Sequence, residues 1–185
     1  DAVTNRMSGL SKALRSFARS PGQAIRPVEL AQVVSEVRLL IDPVAQKTEI
    51  NIVWPDLKSD VIVAGGAVRL SQILVNLLSN AVSAAKSEVH LTVEADIDTV
   101  SLTVADDGTG VSEEDAPYVF EPFFTTRPVG EGLGLGLSIA YNIAHDFGGT
   151  LRLLDSPYGA TFQLVLNRTV VEDVQDEKTG ALINA

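Results

Sequence analysis

Four glycines alternate with larger residues in Gly130-Glu131-Gly132-Leu133-Gly134-Leu135-Gly136-Leu137-Ser138 and lead directly into an apolar-periodic stretch. A helix starting there presents unpaired backbone N–H groups and the positive end of its dipole, a natural seat for phosphate oxygens. The bland alternative is a flexible hinge. No Lys-Ser/Thr follows the last glycine, as a Walker loop requires, and a dinucleotide fingerprint would follow a first strand instead of lying this late in the chain. A phosphate site here therefore needs a different nucleotide fold.

Asp106-Asp107-Gly108-Thr109-Gly110 closes a strand-like run. A carboxylate at a strand end beside glycines can accept a hydrogen bond from a ligand that the backbone approaches closely, although such a pair taken alone also reads as an ordinary turn. Asn76 and Asn80 stand one helical turn apart and share a face. His90 sits in a strand pattern and His145 in a helical one; both read as packing or surface residues.

These residues need elements to position them. Leu30, Val33, Val34, Val37, Leu40 and Ile41 follow helical spacing over 27–40, and strands are expected at 49–55 and 60–65. A second helix over 66–86 turns Leu70, Ile73, Leu74, Leu77, Leu78 and Ala81 inward and Asn76 and Asn80 outward. Residues 88–96 and 99–107 alternate as a hairpin with one buried face. A loop over 112–133 precedes a helix at 134–147 closed by Gly148-Gly149, and strands at 150–155 and 160–166 finish the domain. Helices mixed with antiparallel strands predict an α+β fold, a two-layer sandwich.

The chain has 185 residues, enough for one buried domain with appendages. With 14 Lys+Arg against 24 Asp+Glu, its net charge of −10 disfavours nucleic acid as a partner. No apolar run reaches the ~18–20 residues that span a bilayer. It has no cysteine, hence no disulfide or thiolate metal site, which is compatible with a reducing cytoplasm.

Taken in order, NLLSNA (76–81), DDGTG (106–110), FEPFF (120–124) and GLGLGLSIA (132–140) resemble the N, G1, F and G2 boxes of histidine kinases. That family shares its ATP-binding fold, the Bergerat fold, with type II topoisomerases, mismatch-repair ATPases and the ninety-kilodalton heat-shock chaperones. The likeness covers roughly residues 26–167. The runs SFARSPGQAIRPVEL and TTRPVGEGLGLGLSIAYNIAHDFGGTL are most similar to C4-dicarboxylate transport sensor kinases.

The resemblance implies a sandwich with a mixed, mainly antiparallel sheet and helices on one face. It makes Asp106 the acceptor of the adenine amino proton, with Gly108 and Gly110 letting the purine lie against the backbone. Asn80 would hold Mg²⁺ through its side-chain oxygen, assisted by Asn76. Gly132, Gly134 and Gly136 would hold the ATP phosphates, while Leu135 and Leu137 pack the helix start. Thr161 would lie near the adenine. Segment 125–133, with Thr125 and Arg127, would be the lid, Arg127 touching the β or γ phosphate unless it is simply solvated. The phenylalanines at 120, 123 and 124 would anchor the lid's base or meet a partner helix, at least one of them packing in the core. Ser83 replaces a lysine common in the family, and Lys86 could substitute only if its helix reached that far.

Residues 1–19, with Val3, Met7, Leu10, Leu14 and Phe17 on one stripe, would end a dimerisation module, with 20–27 a linker, 28–168 the catalytic domain and 169–185 a tail. No His-Glu/Asp-x-x-x-Pro box marks a phosphoacceptor histidine. The expected function is a sensor kinase's Mg·ATP-binding domain acting on a histidine of a separate dimerisation helix, with a response regulator downstream. The parent is expected to be a homodimer attached to the inner membrane, with this domain in the cytoplasm. Alternatives are a nucleotide-hydrolysing relative and a degenerate docking module.

Overall fold

The computed structural model describes residues 25–57, 60–128 and 132–169. In chain order they form β1 (Arg26–Glu29), α1 (Leu30–Lys47), β2 (Asn51–Val53), β3 (Ile62–Gly65), α2 (Ala67–Ala84), β4 (Glu88–Ala95) and β5 (Thr99–Asp106). A 3₁₀ turn (Ala116–Tyr118), α3 (Gly136–Asp146), β6 (Thr150–Leu154) and β7 (Thr161–Asn167) follow. The expected stripe on 1–19, the linker up to residue 24 and the tail from 170 onward lie outside the described residues.

A five-stranded sheet runs β2-β4-β5-β7-β6, with β2 parallel to β4 and every other neighbour antiparallel. Alternation along the strands decides which face is dry: Val89 and Leu91, Val100, Leu102 and Val104, and Phe162, Leu164 and Leu166 are buried. Onto that face α2 sets Leu70, Ile73, Leu74, Leu77 and Leu78, each at most 1% exposed. Each such side chain contributes about 1.5–3 kcal/mol by leaving water. The α+β two-layer sandwich expected from the sequence is the fold observed.

Two local departures have physical causes. Arg26–Glu29, read as a helix start and, for Arg26 and Pro27, as linker, is instead β1, paired antiparallel with β3 in the register Pro27↔Ala64 and Val28↔Val63. The pairing partner lies some thirty-five residues on, beyond the reach of periodicity. It also explains where α1 begins, because Glu29 makes no side-chain cap and the Leu30 N–H donates instead to the Val61 carbonyl at 3.0 Å. At its other end α1 runs through Pro43 to Lys47, where the sequence suggested a stop near Leu40. Burial of Ile41 and Ala45 on the inner stripe offsets the amide hydrogen bond that Pro43 cannot make.

Candidate nucleotide site

A cavity of about 550 Å³ lies between α2, the end of β5, the loop around the 3₁₀ turn and the start of α3. Its walls include Asn76, Asn80, Asp106, Gly110, Thr125, Arg127, Gly132, Gly134, Leu135, Gly136 and Leu137. Residues separated by some sixty positions thus converge because β5 ends where α2 and α3 lie side by side.

On its wall stands Asp106, 8% exposed at the tip of β5. Its Oδ1 accepts from the Gly108 N–H at 2.9 Å and the Ala160 N–H at 3.2 Å, while among the described residues nothing donates to Oδ2. Burial pushes its pKa up, and the two backbone hydrogen bonds oppose that rise. Asp107 has the opposite surroundings. Its carboxylate accepts from the Ser87 hydroxyl, the Ser87 N–H and the Lys86 N–H, which hold its pKa well below the usual carboxylate range. Adjacent aspartates therefore divide the work: Asp107 ties off the end of α2, and Asp106 keeps a free oxygen at the cavity.

The glycines around them are not equivalent. A Cβ on Gly108 would stand 2.3 Å from the Ala84 carbonyl oxygen, so this glycine lets β5's end approach α2, and it is not among the residues that line the cavity. Gly110 has φ +75° and does line it. Thr161 is not among the lining residues either. Ala160 and Phe162 reach the cavity, and strand alternation puts the intervening Thr161 on the other face of the sheet, outside the lining.

Elsewhere on the wall, the Asn76 amide donates through Nδ2 to the Gly136 carbonyl at 3.0 Å, tying α2 to the first residue of α3. The Asn80 Oδ1 accepts from Arg127 Nη2 at 3.3 Å, and the Arg127 N–H bonds to Thr125 Oγ1 at 3.2 Å. α3 starts after Leu135 without a side-chain N-cap; Ser138, 2% exposed, donates its hydroxyl to the Leu135 carbonyl at 3.0 Å. The first-turn N–H groups at Gly136, Leu137 and Ser138 have no partner within the helix, and Gly136 and Leu137 lie on the cavity wall. This is the geometry that accepts an anion.

Within the glycine run, Gly130 and Glu131 lie outside the described residues. Gly134, at φ +64°, gives its carbonyl to the Phe123 N–H at 2.9 Å, and a Cβ there would meet Phe123 C and Phe124 O at 2.5 Å. A Cβ on Gly136 would find nothing nearer than Asn76 Cγ at 3.7 Å. Gly134→Ala is therefore expected to lower the thermal midpoint by several degrees, and Gly136→Ala to leave it within about two degrees of the parent; a thermal melt of each checks this.

The three phenylalanines separate as well. Phe120 stacks 5.1 Å from Tyr141 and 6.1 Å from Phe162, Phe124 lines the cavity, and Phe123 stands 62% exposed at φ +70°. Ser83 lies on the cavity wall, whereas α2 ends at Ala84 and Lys86, whose backbone N–H donates to Asp107, is not on that wall. His90 pairs with Glu88 at 2.8 Å on the outer sheet face and His145 is exposed near the end of α3; neither lines the cavity. Val111, Val119, Ala160 and Phe162, which join Phe124, Leu135 and Leu137 in its apolar wall, escaped sequence reasoning. Only the alternation at 160–162 could have pointed to two of them.

Residues 65–170 match the family described as histidine kinase-, DNA gyrase B- and HSP90-like ATPases. The C4-dicarboxylate transport sensor protein DctB of Rhizobium meliloti (strain 1021) is 34% identical over 171 residues, covering 90% of this chain and 27% of that protein. The chain thus spans about a quarter of that relative's length. Among solved structures, the nucleotide-free catalytic domain of histidine kinase ThkA is 29% identical, with a TM-score of 0.71, over 80% of this chain and 99% of that one. Full-length ShkA in complex with AMPPNP has a TM-score of 0.75 at 26% identity, over 89% of this chain and 37% of that one. The chain belongs to the histidine kinase-, DNA gyrase B- and HSP90-like ATPase family, and its fold is that of a sensor histidine kinase catalytic domain.

Proposed function

We propose that this domain binds Mg·ATP in the cavity and presents the γ-phosphate to a histidine on a separate dimerisation helix, for relay to a response regulator. The supporting observation is that one cavity is lined both by a buried carboxylate with an oxygen to which no described residue donates and by a helix start whose first N–H groups have no partner within the helix. Asp106 Oδ2 accepts the adenine amino proton. Gly132, Gly134, Gly136 and the first turn of α3 hold phosphates, Leu135 and Leu137 set that turn against the core, and Thr125 and Arg127 cover the phosphates from the side. Asn80, with a carbonyl-type oxygen facing the cavity, suits a hard divalent cation, and Asn76 holds α3 in register beside it. Mg²⁺ bound there supplies neutralisation of phosphate charge. In the transfer the bond from phosphorus to the bridging oxygen breaks, a phosphorus–nitrogen bond forms and ADP leaves. The chain's task is positioning.

Steady hydrolysis is the weaker reading. An attacking water needs a base, which the resemblance to the hydrolysing relatives would place one turn before Asn80, and Asn76 there is an amide whose Nδ2 donates to the Gly136 carbonyl. The parent is proposed to be a homodimer attached to the inner membrane; among the described residues no helix is long and apolar enough to cross a membrane. Calorimetric titration with ATP and ADP, with and without Mg²⁺, tests the binding reading, for which Mg²⁺-dependent micromolar affinity is expected. Incubation with γ-labelled ATP tests the rest. The chain alone should acquire no acid-labile phosphate and release no phosphate over many turnovers; either one would overturn the transfer reading.

A further inference from the structure

Asn80 offers a single side-chain oxygen, and Arg127 already holds it: Nη2 donates to Oδ1 at 3.3 Å. A guanidinium stays charged at any working pH, and among the described residues no carboxylate pairs with Arg127. At 3.3 Å the bond is long for a charged donor, which normally sits at ~2.7–2.9 Å from its acceptor. A phosphate, with full negative charge and two oxygens for the guanidinium fork, is the better partner. A divalent cation on the same Oδ1 at ~2.1 Å would place two positive groups around one neutral oxygen.

Resting on the proposed nucleotide site, we infer that Arg127 is a two-position residue that makes metal capture depend on nucleotide. With the cavity empty it occupies Asn80 Oδ1; when phosphates enter it turns to them and frees that oxygen for the cation. It is a positioning residue for the metal ligand in the first state and a phosphate contact in the second. Cation entry and arginine release are then one coupled event.

The coupling has a sign that a simple phosphate contact lacks. In EDTA, where no cation competes, Arg127 still turns to the phosphates but gives up its bond to Asn80 in doing so, and that loss offsets part of what its removal costs in ADP affinity. Once Asn80 is alanine, the arginine is free to serve the phosphates and its removal costs more. Calorimetric titration of ADP in EDTA into the parent chain, Arg127→Ala, Asn80→Ala and the double variant is expected to give a penalty for losing Arg127 about threefold or more larger in the Asn80→Ala background. An equal or smaller penalty there overturns the inference. A spectroscopic measurement stands beside it: the ¹⁵N guanidinium resonance of Arg127 should shift on Asn80→Ala without ligand and, in the parent chain, on adding ADP in EDTA, and indifference to Asn80→Ala also overturns it. If the parent binds no ADP even with Mg²⁺, the nucleotide reading itself has failed; normal ADP binding with no coupling sinks only the two-position arginine.

Discussion

Asp106→Asn is expected to lower affinity for ATP and ADP by about 100-fold, the loss of one hydrogen bond to a charged acceptor together with a donor facing a donor. The substitution is close to isosteric, and its remaining amide oxygen can still accept from the Gly108 and Ala160 N–H groups. The atom that changes is Oδ2, to which no described residue donates, and the NH₂ put there points at the adenine amino group instead of accepting from it. The fold should survive, with an unchanged or higher thermal midpoint, because an ionised group in a poorly solvated place has been made neutral. Calorimetry for binding and a thermal melt for folding separate the two effects. A 100-fold loss with an intact melt supports the base contact; unchanged affinity would move adenine elsewhere.

The same carboxyl gives a pH dependence whose sign can be worked out. Burial raises the Asp106 pKa above the unfolded value, with Gly108 and Ala160 only partly opposing it. A raised acid binds its proton more readily folded than unfolded, so its contribution to stability increases as pH falls through the folded pKa and is absent at neutral pH. Nucleotide binding runs the other way. It needs the carboxylate as acceptor, so affinity for ADP should weaken as pH drops through that raised value, while Asp106→Asn should bind weakly with little pH dependence across the same interval.

Much of this was legible in the sequence, and what was not has identifiable causes. The stripe of α2 and the alternation of β4 and β5 could be read because both are strictly periodic within one element. β1 could not, since four residues carry too little pattern and their partner β3 is remote. Asp106 and Asp107 look alike as letters. Only the resemblance ranked them, and the structure supplies the reason: the end of α2 claims Asp107 through Ser87 and Lys86. The glycines of the G2-like run were likewise read as one set, yet the need for glycine is sharp at Gly134 and slack at Gly136, a distinction carried by neighbours from the 123–124 turn. Thr161 stands one residue from Ala160 and from Phe162, which line the cavity, a difference of strand phase that only register resolves.

Gly159, just before Ala160, should be the most demanding glycine near the site. It sits at φ +62°, and a Cβ there would fall 1.8 Å from the Asp106 carbonyl oxygen and 2.5 Å from its carbonyl carbon. Both are backbone atoms of a strand end pinned from two sides, since the Asp106 N–H donates to Ala160 O at 3.0 Å and the Ala160 N–H returns to Asp106 Oδ1. Neither partner can yield without opening that pair. Gly159→Ala is therefore expected to cost about 3–5 kcal/mol in urea denaturation, combining left-handed strain with a backbone clash. Gly148 is the internal control. It has φ +70° in a Schellman turn that closes α3, with the Gly149 N–H on Ala144 O and its own on His145 O, but a Cβ there meets nothing nearer than Asn167 Nδ2 at 3.5 Å. Gly148→Ala should pay the conformational part alone, about 1 kcal/mol. A large gap between the two variants attributes the difference to the close approach of 159 to Asp106; equal costs would mean that the loop at 155–160 shifts freely, and Asp106 would then lack the rigid setting on which its binding role depends.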